Sequence, residues 1–186
     1  MRPGLIKYMI TAFDPTRKVF TIGTKEITLS GKDVEAITGL QNRGQPFNRV
    51  HLDTSKDVPT KFVNPKTNMI LIDDLIAAIE TDGTADDDFV RRVLLVLLGT
   101  VLMPVSTMYV PRDYYAIVDD LPRAQNMNWI SLTLSFLIMN LVKKKTEKGP
   151  TSWPDGNLAL LQVWHNATSI CQLNIYEKCT NDFLIM

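Results

Sequence analysis

Two long apolar stretches, Phe89 to Met103 and Met127 to Val142, flank a short segment rich in Pro, Tyr and Asp. In the first, Val93, Leu94, Leu95, Leu97 and Leu98 leave almost no polar face, so the pattern predicts a central, buried helix ended by Pro104. Asp86, Asp87 and Asp88 precede it, where carboxylates suit the orphan N–H groups and the positive end of a helix. In the second, Ile130, Leu134, Leu137, Ile138 and Leu141 share one broad face, and Lys143, Lys144 and Lys145 complement its negative C-terminal end. Between the two, Pro111 opens a helix from Arg112 to Asp120 that Pro122 terminates. Asp119 and Asp120 form an exposed carboxylate pair on it.

The flanking sequence is more varied. Leu5, Ile6, Met9 and Ile10 make a short amphipathic lead-in, and Phe13-Asp14-Pro15-Thr16 reads as a turn. Val19 to Ile22 and Glu26 to Leu29 alternate apolar and polar around Gly23-Thr24, the pattern of a β-hairpin. Ser30 with Asp33 is a capping-box pair for a short helix stopped by Gly39. Gln41 to Met69 is polar, punctuated by Gly44, Pro46, Pro59 and Pro65, and reads as a long surface connection. Leu71, Ile72, Leu75, Ile76 and Ile79 fall on one helical face, and a last helix spans Gly156 to Ile170. The fold class is therefore mainly α, a compact helical domain with a small N-terminal β-hairpin.

Composition narrows the function classes. The 186 residues are 45% hydrophobic, enough for one core-bearing domain, and Lys plus Arg equals Asp plus Glu at 20 each. A neutral chain argues against a phosphate-gripping surface, which draws its affinity from a basic excess. The one basic cluster, Lys143, Lys144, Lys145 and Lys148, reads as a solvated helix terminus or as a nucleic-acid or nuclear-import patch. Cys171 and Cys179 fit neither a paired CxxC zinc site nor a disulfide framework and read as reduced thiols. The N-terminus lacks a signal-peptide h-region, and no apolar run approaches the ~20 residues that span a bilayer, so no membrane association is expected.

No catalytic constellation stands out. His51 and His165 are far apart in sequence and belong to no HExxH array, and there is no GxGxxG or GxxxxGK[ST] phosphate loop. Asp82 with Asp86 to Asp88 could supply ligands to a hard cation, but the Asp-x-Asp-x-Asp-Gly calcium spacing is missing, and helix capping is the preferred reading. Tyr114, Tyr115, Trp129, Trp153 and Trp164 could stack bases. Without interleaved Arg or Lys they read as packing residues whose polar tips hydrogen-bond between helices.

Several blocks taken together resemble the plant mobile domain, a family of plant transposable elements and of maintenance-of-meristems host proteins. Phe13-Asp14-Pro15 through Phe20, followed by Glu26-Ile27-Thr28-Leu29, Asp33-Val34 and Gly39-Leu40, resembles that family's opening. Leu97-Leu98-Gly99-Thr100, Met103-Pro104, Tyr114-Tyr115, Val118-Asp119-Asp120 and Asn128-Trp129 resemble the family's middle pattern, and Gly156 to Trp164 is similar to its next block. From His165 onward the sequence departs from the family pattern, which implies a single domain over 1–186, truncated or divergent after 165.

The resemblance implies a nuclear factor, with the cytoplasm as the alternative, involved in transposon silencing, genome stability and meristem development. It also implies a protein partner, in some members a plant phosphoprotein phosphatase. Such sequences are sometimes labelled aminotransferase-like, but no Schiff-base Lys, phosphate cup and pyridinium partner stand out, so no cofactor is expected. The expectation is a non-catalytic protein-interaction module. Asp119 and Asp120 are a candidate partner surface, and the alternative is a transposon-derived nucleic-acid-binding module using the lysine cluster.

Overall fold

Pro3 presets the first turn of α1 (Pro3–Ala12), whose inward face carries Ile6 and Met9. A computed structural model describes residues 1–46, 62–146 and 153–169. Strands β1 (Phe13–Asp14), β2 (Val19–Ile22) and β3 (Lys25–Ile27) form an antiparallel sheet in the order β1-β2-β3. The hairpin thus has a third strand: Phe13 pairs with Phe20 before the chain turns. The turn is held by Asp14, whose Oδ1 accepts from the N–H groups of Thr16 and Arg17. Arg17 reaches both Asp14 and Glu26, and its hydrogen bonds hold the Asp14 carboxyl below the usual carboxylate range.

Helix α2 (Gly31–Thr38) starts with the expected capping box: Ser30 Oγ accepts from Asp33 N–H, and Asp33 Oδ2 accepts from Ser30 N–H at 2.7 Å. Gly39 closes it in the left-handed conformation. The surface connection is tethered where it is described, Gln45 bridging to Met127 and Asn64 to Met69; residues 47–61, including His51, lie outside the described residues. Helix α3 (Ile72–Thr81) then turns Ile72 and Leu75 inward.

Helix α4 (Asp87–Leu97) is capped by Asp86, which accepts from Phe89 N–H, and continues into a π-turn over Leu98–Leu102. The wider turn ends where Met103 N–H reaches back to the Leu98 carbonyl. The central buried helix expected here is only partly realised. Leu95 and Leu98 are fully buried, but Val90, Leu97 and Val101 face solvent, because α3 and α5 (Tyr115–Asp119) cover only one side of α4. A 3₁₀ turn at Arg112–Tyr114 leads into α5. Pro122 does not end that helix. It sits in the first turn of a further short helix, α6 (Leu121–Gln125), whose cap is Asp120.

Helix α7 (Trp129–Thr146) is the spine of the molecule. Its Ile130, Leu137 and Leu141 enter one core with α1, the sheet, α2 and the last helix, α8 (158–169). Leu132, with Trp129 and Phe136 beside it, enters a second core with α3, α4 and α5. Gly156 does not open α8. It takes φ 108°, where a Cβ would stand 3.1 Å from Leu137 Cα, and Asn157 caps the helix instead by accepting from Leu160 N–H. The architecture is mainly helical with a small N-terminal sheet.

Candidate functional site

At 100° per residue, Val90, Leu94, Leu97 and Val101 share one face of α4 and its π-turn. Val90, Leu97 and Val101 are 43%, 41% and 46% exposed, far more than an apolar helix in a core would show. Along this stripe a groove of about 540 Å³ opens between α4, α6 and the start of α7. Val90 and Leu94 form one wall, and Leu121, Pro122 and Trp129 the other. Two ion pairs flank the stripe. Arg91 pairs with Asp88 at 3.0 Å, and Arg92 pairs with Asp82 at 2.6 Å while lying over the Phe62 ring. Both arginines are thereby spent on holding the helix, and Arg92 holds the Asp82 carboxyl below its ordinary range.

The groove is bordered by acid. Asp87 lines it, and Asp119 and Asp120 immediately precede Leu121. Asp119 and Asp120 are exposed, but they differ in role. Asp120 Oδ1 accepts from Arg123 N–H at 3.0 Å as the α6 cap, whereas Asp87 and Asp119 have no hydrogen-bond or ion-pair partner among the described residues. Of the four carboxylates considered for a cation, three are otherwise engaged, Asp82 with Arg92, Asp86 as a cap and Asp88 with Arg91, which leaves Asp87 alone. Among the described residues no three His, Cys, Asp or Glu side chains converge.

The lysine cluster is placed less freely than its sequence suggests. Lys145 Nζ donates to the Thr11 carbonyl at 3.0 Å, tying the end of α7 to the end of α1. Lys143 is exposed and Lys144 half-buried on the same last turn, and Lys148 lies outside the described residues. A second groove, about 410 Å³, runs beside this end of α7 between Lys18 and Ile138. Its wall is made of Leu134, Ile138 and Val142, which are already packed against the first core.

The aromatic residues divide. Tyr114, Tyr115 and Trp164 are buried, Trp129 is half-buried at the groove, and Trp153 is exposed. Tyr114 donates its hydroxyl to the Met103 carbonyl, and Tyr115 donates to that of Val110 at 3.1 Å. Burial pushes both phenols above their usual range. The indole N–H of Trp164 is buried with no hydrogen-bond partner among the described residues, against the expectation for it. His165 makes an edge contact with Tyr8. Cys171 and Cys179 lie outside the described residues, and among those described no helix is long and apolar enough to cross a membrane.

The composite of motifs in the central segment maps onto this surface and its support. Leu97 is on the exposed stripe, Leu98 and Gly99 are packed inward, and a Cβ at Gly99 would meet Ile72 Cδ1 at 3.2 Å. Asn128 caps α7 by accepting from Ser131 N–H and also donates to Asn42 Oδ1, clipping the start of the long connection to the α6–α7 junction. Sequence reasoning named Asp119 and Asp120 but missed the groove, because within the apolar run Val93 to Leu98 nothing in the sequence marks which side is covered.

No curated protein and no solved structure matches the chain. The family model described as a domain of unknown function, DUF8566, matches residues 1–162, and the chain therefore belongs to that family.

Proposed function

We propose that this domain is a non-catalytic protein-interaction module whose docking surface is the apolar stripe of α4 and the groove beside it. The observation that supports the reading is the exposure of Val90, Leu97 and Val101 in a row above a groove walled by Leu121, Pro122 and Trp129. Apolar side chains scattered singly on a surface need no explanation, but a continuous rank next to a concavity is the usual form of a peptide or helix site. The resemblance to the plant mobile domain supports placing the module in a plant nuclear factor that acts in transposon silencing, genome stability and meristem development. On that reading a phosphoprotein phosphatase is a candidate partner.

The test compares capture from plant nuclei by the intact chain and by a triple variant, Val90→Thr, Leu97→Gln and Val101→Thr. A phosphatase recovered by the first and lost by the second is the expected result. Equal recovery by both removes the stripe from the function. The alternative, nucleic-acid binding through Lys143 to Lys145, draws on a smaller footprint because Lys145 is engaged with α1. It requires gel-shift affinity that falls steeply as salt rises.

A further inference from the structure

The charge around the groove says what kind of partner fits it. Asp87 lines the groove, and the exposed Asp119 and Asp120 directly precede its wall residues Leu121 and Pro122, while Asp88 and Arg91 pair with one another. Asp87 and Asp119 have no partner among the described residues, so their charge is available to a ligand. The stripe runs from Val90 to Val101, which at 1.5 Å per residue is roughly 16 Å, or about three helical turns. Side chains on one face over that length match an amphipathic helix presenting apolar residues at i, i+3 or i+4, and i+7.

Resting on the docking role proposed above, we infer that the groove takes a basic amphipathic helical segment of another protein, with Lys or Arg flanking its apolar anchors. Complementary charge would fix its orientation and speed its encounter, while the apolar contacts would hold it. The same charge disfavours the other occupants. Nucleic-acid phosphates and anionic lipid would meet like charge at this end of the groove. In a two-fold dimer formed through the stripe, identical acidic ends would add mutual repulsion.

Selection of random linear peptides of about four helical turns, displayed on phage, against the immobilised full chain tests this directly. The expected result is enrichment of peptides with net positive charge and apolar residues in helical spacing. Their binding should weaken at least about tenfold in the Val90→Thr, Leu97→Gln, Val101→Thr variant and fall as salt is raised. In a second variant, Asp87→Lys with Asp119→Lys, the charge preference should reverse while the apolar spacing is retained. A melting curve on each variant verifies folding. Neutral or acidic peptides that still depend on the stripe would overturn the basic partner and leave the docking role standing. Peptides indifferent to the stripe, or none, would overturn both. A wild-type dimer in sedimentation that the stripe variant abolishes would make a second copy the occupant and overturn the inference.

Discussion

Replacing Tyr114 with Phe removes one oxygen and nothing else, which makes it a sensitive probe of how the α4 end is built. The hydroxyl donates to the carbonyl of Met103, the residue that closes the π-turn, and both residues are only 3% exposed. A neutral hydrogen bond contributes about 1 kcal/mol net, and leaving a buried acceptor without its donor costs about 1–3 kcal/mol. The ring itself stays and keeps its edge contact with Phe136, so no cavity term is added. The expected loss is therefore about 1–2 kcal/mol, or roughly 2–8 °C in Tm for a chain of this size.

Alkaline titration gives a second readout of the same group. Burial raises the Tyr114 phenol in the folded state, so above its ordinary value of 10.0 the unfolded chain sheds a proton that the folded chain retains. The unfolded state then binds fewer protons, and stability falls as pH rises, by up to about 1.4 kcal/mol per pH unit for each such group. Tyr115, also raised by burial, contributes in the same sense. Urea melts of wild type and Tyr114→Phe at neutral pH and above pH 10 should show the variant less stable when neutral and with a shallower alkaline decline. An unchanged midpoint together with an unchanged decline would mean that the hydroxyl is in water and that the account of the π-turn is wrong.

Three other substitutions probe separate joints of the fold. Ser30→Ala removes both Ser30 side-chain bonds of the α2 capping box and should cost about 1 kcal/mol in a denaturant melt, whereas an unchanged midpoint would show the helix start to be held by packing alone. Gly156→Ala should destabilise by more than about 1 kcal/mol, because φ 108° disfavours any Cβ and this one would press on the α7 backbone; a neutral result would refute the close approach. Leu137→Ala, at the centre of the first core, should cost about 2–5 kcal/mol and leave a cavity, read as a lowered melting temperature. A loss below about 1 kcal/mol would contradict its place in that core.

What could be read in the sequence is what local chemistry decides. The Ser30 and Asp33 pair named the start of α2, the run Asp86 to Asp88 the start of α4, where Asp86 proves to be the cap, and Gly39 the end of α2, because each works through groups within a turn of itself. The mistakes occurred where a residue has two compatible roles. Pro122 can follow a helix or sit in the first turn of one, and Asp120 decides the matter by capping forward onto Arg123 N–H. Lys145 is exposed, as a helix terminus is expected to be, but it also donates to the Thr11 carbonyl of α1, 134 residues away in sequence, a contact no local pattern shows. The split into two cores, joined by α7, is equally a long-range fact: Ile130 and Leu132 sit in one apolar run and enter different cores.

Helix α4 carries the same lesson into function. Its apolar residues look alike in sequence, but burial separates Leu95 and Leu98, which no water reaches, from Val90, Leu97 and Val101, which keep over two-fifths of their surface exposed. Fully burying a Val or Leu is worth about 1.5–3 kcal/mol, so each of the three exposed side chains leaves a substantial part of that unrealised in the isolated domain. A binding helix that covered the stripe would recover part of it, less the rotational and side-chain freedom lost on association. Exposed positions away from caps and ion pairs tolerate change within about 0.5 kcal/mol, so the conservative Thr and Gln replacements test docking without testing folding. Arg91 pairs with Asp88 within α4, and Arg92 ties α4 to Asp82 at the end of α3, so neither arginine is among the residues the stripe variant changes. The groove and the core are thus separable by substitution although the same helix supplies both.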